Sequence, residues 1–327
     1  MTRRRILTLL GGAVLVPPFA LRAQQKPLPV VGFLNSAAPA SFANQVAGFR
    51  QGLAEAGFVE GRDVAIEYRW AEGRYERLPE LAQELVRRPV AVLAATGGDV
   101  VAHAAKGATS TIPIVFAIGS DPVEIGLVKS FPRPGGNLTG ISQFTGVLEA
   151  KRLELVSKMV PASKAIAVLF NPDNVNAKNQ LKDVEEGARK LGLRVIPLTA
   201  KSEGDFDAAY ASMVKQRAGA LLVGADPFFN SRRDRLVALS ARHKMPTMYQ
   251  WKEFAVIGGL MSYGTNLVDA YRQVGLYTGR ILKGAKPGDL PVWQPTKFEF
   301  VLNAKTAKDL GIRIPGDLML SANEVIE

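Results

Sequence analysis

Short apolar runs alternate with stretches of helical periodicity along the chain from Val30 onward. The first run, at 29–36 (PVVGFLNS), is typical of a buried strand. The segment at 42–57 then places apolar residues at helical spacing and stops at Gly57, a residue type that commonly ends helices. The pattern therefore predicts a strand followed by a helix.

The same alternation continues to about residue 144. Strands are predicted at 63–70, 90–97, 112–119 and 137–144, and helices at 76–88, 99–109 and 123–131. Strands that are joined by helical crossovers form a parallel sheet covered on both faces. This half of the chain is therefore predicted to form one doubly wound unit.

A second unit follows a predicted helix at 149–161. Its strands are predicted at 165–172, 193–199, 219–229 and 245–250, with helices between them. The sequence therefore predicts an α/β fold made of two doubly wound parallel-sheet lobes in series.

The element order changes beyond residue 255. A Gly-rich strand is predicted at 256–266, a long helix at 268–285 and an extended stretch at 289–303. Neither lobe needs this tail to complete its sheet, so we expect about three hinge crossings around a cleft. The predicted division is residues 28–142 and 256–290 for the first lobe, and 143–255 and 291–327 for the second.

Residues 1–23 have the features of an export signal peptide. Three arginines precede an apolar run from Ile6 to Val16 that is too short to cross a membrane, and small residues follow near Ala23. A general secretory signal and a twin-arginine signal both fit this order. We expect a soluble periplasmic protein, and because the chain has no cysteine, we expect neither disulfides nor a cysteine-linked lipid anchor.

The net charge of +11 becomes +7 when the four arginines of the signal are removed. The remaining Lys and Arg residues are scattered among Asp and Glu and form no basic run. This distribution is typical of a solvated surface, so we expect no nucleic-acid partner.

Ligands of open parallel sheets bind at the carboxyl ends of the strands. Ten candidate ligand-binding residues occupy these positions: Asn35, Ser36, Thr96, Gly97, Asp121, Asn171, Asp226, Phe228, Tyr249 and Trp251. Hydroxyl and amide groups suit a carboxylate, an acid suits an ammonium, and aromatic faces suit an apolar tail. The set is typical of a site for a small zwitterion.

Several of these candidates also have a structural explanation. Asp121 and Asp226 each precede a proline, so each is also explained as a helix N-cap. Asp226 is the better ammonium partner of the two because a pair of phenylalanines follows Pro227. The hydroxyl residues fit turns or caps as well, and Tyr249 and Trp251 fit the core or an interface.

Motifs of the common enzyme classes are absent from the sequence. The two histidines, His103 and His243, lie in predicted helices, and no nucleotide-binding glycine motif occurs. The segment LMSYG has Leu260 where a nucleophile elbow has its first glycine. We therefore expect no enzyme, no catalytic residue, no metal and no cofactor.

Six segments carry a resemblance to a known family. They are 57–86 (GFVEGRDVAIEYRWAEGRYERLPELAQELV), 111–142 (TIPIVFAIGSDPVEIGLVKSFPRPGGNLTGIS), 151–161 (KRLELVSKMVP), 258–266 (GGLMSYGTN), 279–315 (GRILKGAKPGDLPVWQPTKFEFVLNAKTAKDLGIRIP) and 322–327 (ANEVIE). In these segments the chain resembles the TrpX-like substrate-binding proteins of bacterial ABC importers.

The resemblance implies a type I periplasmic-binding-protein fold, in which two lobes close on a ligand about three hinge crossings. It also implies that the protein delivers an amino acid, aromatic or branched, or a related small carboxylate to a membrane permease. We expect a monomer. A ligand-sensing periplasmic module that acts on a receptor and a secreted hydrolase are the alternative functions.

Overall fold

The structure is a computed structural model that describes residues 27–143 and 148–327. The predicted signal peptide at 1–23 lies outside the described residues. Two sheets form the framework, one of five strands and one of seven. The α/β fold with two parallel-strand sheets, predicted from the sequence, is confirmed.

The first sheet is fully parallel, with the strand order β2-β1-β3-β4-β5. Its elements are β1 Val30–Asn35, α1 Ala43–Glu55, β2 Ala65–Trp70, α2 Leu78–Val86, β3 Val90–Thr96, α3 Asp99–Ala108, β4 Ile114–Ile118 and β5 Leu138–Ser142. Short 3₁₀ turns at Pro39–Phe42 and Tyr75–Arg77 precede α1 and α2. The apolar runs of β1, β3, β4 and β5 are buried from both sides, as expected for a sheet covered on two faces, whereas the edge strand β2 is partly exposed throughout.

The second sheet has the order β12-β11-β10-β9-β8-β6-β7, and β11 runs antiparallel to β10. Its strands are β6 Ala165–Phe170, β7 Arg194–Thr199, β8 Ala220–Val223, β9 Thr247–Tyr249, β10 Met261–Gly264, β11 Glu299–Asn303 and β12 Glu324–Ile326. The helices from the second half of the chain are α4 Glu149–Met159, α5 Ala177–Leu191, α6 Gly204–Lys215, α7 Pro227–Ser231, α8 Arg233–Arg242, α9 Lys252–Val256, α10 Leu267–Leu282, α11 Ala304–Asp309 and α12 Gly316–Ser321. A 3₁₀ turn at Pro287–Asp289 follows α10.

Helix α10 packs on α1 of the first sheet at very short range. A Cβ atom on Gly52 would lie 1.9 Å from the Arg272 carbonyl oxygen, and one on Gly275 would lie 2.1 Å from the Phe49 carbonyl oxygen. Glycine at both positions allows this approach. By contrast, β10 hydrogen-bonds within the second sheet, although the predicted boundary at residue 256 placed it with the first lobe.

The prediction of a helix at 123–131 is wrong, because the structure has a series of turns between β4 and β5. Gly126 adopts a left-handed φ of 70°, which an α-helix does not accommodate. The amides of Leu127 and Val128 both donate to the Pro122 carbonyl oxygen. The apolar residues of this segment, such as Leu127 and Val128, therefore pack against the first sheet from turns and not from a helix.

Three connections link the sheets. The first joins β5 to α4, and the second joins β10 to α10. The third is the segment between Trp293 and β11. The Trp293 amide donates to the carbonyl oxygen of Gly140 in β5, next to the start of this segment. Residues at the strand ends of both lobes line one cavity, so these strand ends face each other.

Candidate functional site

A cavity with about 600 Å³ of space, part of it open to solvent, lies between the carboxyl ends of the two sheets. The first lobe lines it with Phe42, Tyr75, Gly97, Gly98, Asp99, Val100, Ala117, Ile118, Gly119, Leu267 and Tyr271, and the remainder of the wall consists of Gln143, Asn174, Asn176, Gln180, Ala225, Asp226, Pro227 and Trp251.

Asp226 provides a buried carboxylate on the second-lobe side. It is the N-cap of α7, where one oxygen accepts from the Phe228 amide at 2.9 Å. The side-chain amides of Asn171 and Asn174 donate to its two oxygens at 3.2 and 2.8 Å. Burial raises the pKa of Asp226 to about 6, although these hydrogen bonds act in the opposite direction.

Asp99, the first residue of α3, provides a second buried carboxylate. It accepts from the Ser120 hydroxyl at 2.5 Å and from the amides of Gly119 and Ser120 at 3.1 and 3.4 Å. Burial also raises the pKa of this carboxyl. Among the described residues that line the cavity, none is Lys, Arg or His, so its side chains favour a ligand that carries positive charge.

Part of the first-lobe wall is backbone. Gly97 and Gly98 leave β3 with φ values of 95° and 99°, and α3 begins directly after them. A Cβ atom on Gly97 would lie 2.7 Å from the Ser36 hydroxyl, so the close approach of that strand end requires glycine. The first turn of α3 leaves amide groups without intrahelical acceptors, and this positive end of the helix suits an anionic group.

Aromatic rings form the apolar part of the wall. Phe42 and Tyr271 pack with their ring centroids 6.0 Å apart, and Tyr75 and Trp251 also line the cavity. Trp251 is 6% exposed, and its indole N–H has no hydrogen-bond partner in the described structure. A ligand atom that accepts from this N–H would satisfy a buried donor.

Three of the ten predicted site residues line the cavity: Gly97, Asp226 and Trp251. Asn171 lies behind the wall, where it holds Asp226. The remaining strand-end polar residues of the first lobe, Asn35, Ser36 and Thr96, form a network behind Gly97. The Asn35 amide donates to the hydroxyls of Thr96 and Tyr271, both at 2.9 Å, and the Ser36 hydroxyl donates to the Gly97 carbonyl oxygen at 2.6 Å.

Asp121, Phe228 and Tyr249 do not line the cavity. The Asp121 carboxylate accepts from the amides of Val123 and Glu124, and because turns stand where a helix was predicted, it stabilises a turn and is not a helix N-cap. Phe228 stacks on Phe206 inside the second lobe. Tyr249 stacks on Phe254 and donates to the Ser240 hydroxyl. A strand-end position alone did not fix the direction in which these side chains point.

Sequence reasoning missed Tyr75, Asp99, Gln143 and Tyr271. Asp99 directly follows the Thr96–Gly98 segment, so the start of α3 was a usable signal for it. Tyr271 and Tyr75 reach the cavity from elements remote in the sequence from their partners, and no local pattern marks them. The Gln143 amide oxygen accepts from Thr265, which joins the first and second connections between the sheets.

The described residues contain no helix that is long and apolar enough to cross a bilayer. They also contain no group of His, Cys, Asp or Glu side chains arranged to hold a metal ion. The model of one protein family, described as ABC transporter substrate binding protein, matches residues 32–326. That match covers most of the chain.

Individual relatives show the same similarity. A tyrosine-binding protein of Clostridioides difficile (strain R20291) is 28% identical over 266 residues, which are 81% of this chain and 76% of that protein. An ABC domain of Streptococcus pneumonia, solved in complex with L-Trp, is 28% identical, with a TM-score of 0.83 over 91% of this chain and 100% of that one. The ligand-free, open structure of a Clostridium difficile substrate-binding protein with adhesive properties is 25% identical, with a TM-score of 0.64 over 92% of this chain and 99% of that one.

Proposed function

This chain belongs to the ABC transporter substrate-binding protein family. On that premise we propose that it captures an amino acid outside the cytoplasm, and that the preferred ligand is an aromatic amino acid. The lobes close on the ligand, and the closed form delivers it to a membrane permease. The observation that carries this proposal is the buried Asp226 carboxylate in an interlobe cavity with aromatic walls and a helix N-terminus opposite.

Each part of an amino acid has a matching group in the cavity. The ammonium pairs with Asp226, because an ionised carboxylate gives the strongest hydrogen bonds to a cationic donor. The carboxylate lies at the first turn of α3. The aromatic side chain packs among Phe42, Tyr271 and Trp251. The tyrosine-binding relative and the neighbour that holds L-Trp support a ligand of this class.

Closure follows from the position of the ligand between the lobes. A ligand that contacts both walls binds the closed form more tightly than the open form, so it shifts the population toward closure. Direct contacts also join the lobes: Arg233 donates to the Ser41 carbonyl oxygen at 3.0 Å, and Gln45 donates to Glu253 at 3.2 Å. The TM-score of this structure is higher with the L-Trp complex, at 0.83, than with the ligand-free, open relative, at 0.64. This difference supports the interpretation of the present arrangement as the closed form.

A thermal-shift screen of purified residues 24–327 tests the ligand class. L-Tryptophan, L-tyrosine and L-leucine are compared with a sugar and a polyamine, and calorimetry then gives the affinity of each stabilising compound. A ligand at about 1,000 times its dissociation constant adds about 4 kcal/mol to the free energy of unfolding. Stabilisation by the sugar or the polyamine alone would refute an amino-acid site.

A further inference from the structure

The start of α7 contacts the first lobe beside the cavity. The Tyr75 hydroxyl donates to both oxygens of the Asp226 carboxylate, at 3.1 and 3.2 Å, and it accepts from the Phe228 amide at 3.3 Å. Tyr75 belongs to the first lobe and Asp226 to the second. The side chain that faces the ligand's ammonium in the proposed site is therefore bonded across the cleft.

Gly73, two residues before Tyr75 in the sequence, also lies against the start of α7. Its φ of 83° is left-handed, and a Cβ atom there would lie 3.3 Å from the Phe228 ring. That distance is shorter than ordinary van der Waals contact, so a longer side chain at this position would push the start of α7 away from segment 73–75. The segment 73–75 thus meets α7 through one hydrogen-bonding side chain and one glycine.

We propose that Tyr75 is a positioning residue for ligand capture, whose hydroxyl completes the hydrogen bonds of Asp226 only when the lobes are closed. The inference rests on the proposed function, because it assigns Asp226 to the ligand's cationic group. In the open form Asp226 keeps the donors of its own lobe, namely Asn171, Asn174 and the Phe228 amide. Closure adds the fourth donor, so the acid that holds the ligand is fully oriented in the closed form alone.

The groups around Asp226 give this proposal a pH signature. The carboxylate faces the Tyr75 hydroxyl from the first lobe, two neutral amides from the β6–α5 connection and one backbone amide from α7. Of the described residues that line the cavity, Asp99 is the other acid, and Glu149 accepts from the amide of Ala225, the residue before Asp226. Burial raises the pKa of Asp226, and the hydrogen bond from Tyr75 lowers it. Removal of the hydroxyl must therefore raise that pKa further.

Tyr75→Phe tests the hydroxyl while keeping the ring. Removing one hydrogen bond to a charged group is expected to weaken binding of L-tyrosine or L-tryptophan about tenfold. The pH at which affinity is half lost is expected to move upward, because the acid protonates more readily. A residue that only filled space would leave this midpoint in place.

Tyr68→Phe is the matched control, because Tyr68 bonds Arg50 and Glu60 on the first lobe away from the cavity. It is expected to keep the wild-type affinity and pH midpoint. Wild-type behaviour of Tyr75→Phe would overturn the proposal. Tighter binding by Tyr75→Phe would also overturn it, since it would mean that the ligand displaces Tyr75 from Asp226.

Gly73→Asn tests the contact of segment 73–75 with α7 through a second residue. Gly61 has a nearly identical φ of 82° and nothing within 4 Å of an added Cβ atom, so Gly61→Asn controls for backbone strain. Asparagine tolerates the left-handed region better than most residues. Gly73→Asn is expected to bind at least fivefold more weakly than Gly61→Asn by this steric effect. Equal affinities would show that closure does not depend on this contact.

A measurement without ligand separates this proposal from the proposed function. The chain has no cysteine, so cysteines introduced at exposed Arg133 and Lys190, one on each lobe, carry the only spin labels. Tyr75→Phe is expected to shift the ligand-free distance distribution toward the open form. If wild type responds to no amino acid, the proposed function fails, and this distribution still decides the role of Tyr75. An unchanged distribution would then overturn it.

Discussion

The two walls of the interlobe cavity are built from different parts of the polypeptide. On the first-lobe side, Gly97, Gly98 and the first turn of α3 present backbone, and the side chains of Asn35 and Thr96 lie behind it. On the second-lobe side, the carboxylate of Asp226 reaches the cavity directly. A backbone wall is set by the fold and changes little with sequence, whereas a side-chain wall changes with one substitution. Selectivity for the ligand's charged groups should therefore reside mainly in the second lobe, whereas Phe42 and Tyr271 of the first lobe contribute to selectivity for its aromatic side chain.

Asp226→Asn is the strongest test of this difference. Asparagine retains an N-cap for α7 but loses the charge that pairs with an ammonium. Affinity for an amino acid is expected to fall about a hundredfold, which corresponds to about 2.7 kcal/mol. Calorimetry of the folded variant measures the loss.

Asp121→Asn provides the comparison, because its carboxylate also accepts from backbone amides but does not line the cavity. It should bind as wild type does. Equal behaviour of the two variants would return Asp226 to a capping role and remove the basis for a selective second-lobe wall.

The pH dependence of binding is expected to be the next largest effect. An ammonium pairs with the ionised form of Asp226, whose pKa is about 6. Affinity should therefore be retained at pH 7 and fall about tenfold by pH 5 as the carboxyl protonates. Titration calorimetry at several pH values measures this, and Asp226→Asn should remove the tenfold step from the profile.

The stability of the ligand-free protein should change in the opposite direction. The folded pKa of Asp226 lies above its ordinary value of 3.8, so between these values the folded state binds more protons than the unfolded state. The free energy of unfolding should then increase as the pH falls from about 6 toward 4. The difference between wild type and Asp226→Asn isolates this contribution from other groups. A difference that is constant with pH would contradict the raised pKa.

The sequence predicted the framework better than the site. Apolar runs mark strands that are buried on both faces, so β1 and β3 were placed within about a residue of their ends. Asp226 was found because a strand end and an Asp-Pro pair coincide there. Tyr249 also ends a strand, yet it points into its own lobe, because the helix that covers it supplies its partner at Ser240. Tyr75 contacts Asp226 across 151 positions of sequence, a relation that closure of the lobes creates and no local pattern encodes.

Gly97→Ala tests the backbone wall. The new Cβ atom would meet Ser36 at 2.7 Å with the residue at a left-handed φ, so the strand ends must move apart. The free energy of unfolding is expected to fall by about 1–3 kcal/mol and affinity by about fivefold. Gly284 has a φ of 99° with open space around it, so Gly284→Ala should show the backbone strain alone. Similar affinities for the two variants would mean that the shape of this wall does not contribute to binding.

Trp251→Phe should give the smallest effect and sharpens the second-lobe side of the comparison. The indole N–H is buried without a partner in the described structure, so the ligand-free protein gains nothing from it beyond packing. If a bound amino acid accepts from that N–H, the substitution should weaken binding about threefold to fivefold while leaving the free energy of unfolding within about 1 kcal/mol of wild type. Calorimetry and chemical denaturation of the same samples separate the two quantities. A loss of stability without a loss of affinity would show that Trp251 serves packing alone, and the selective part of the second-lobe wall would then consist of Asp226 and the groups that hold it.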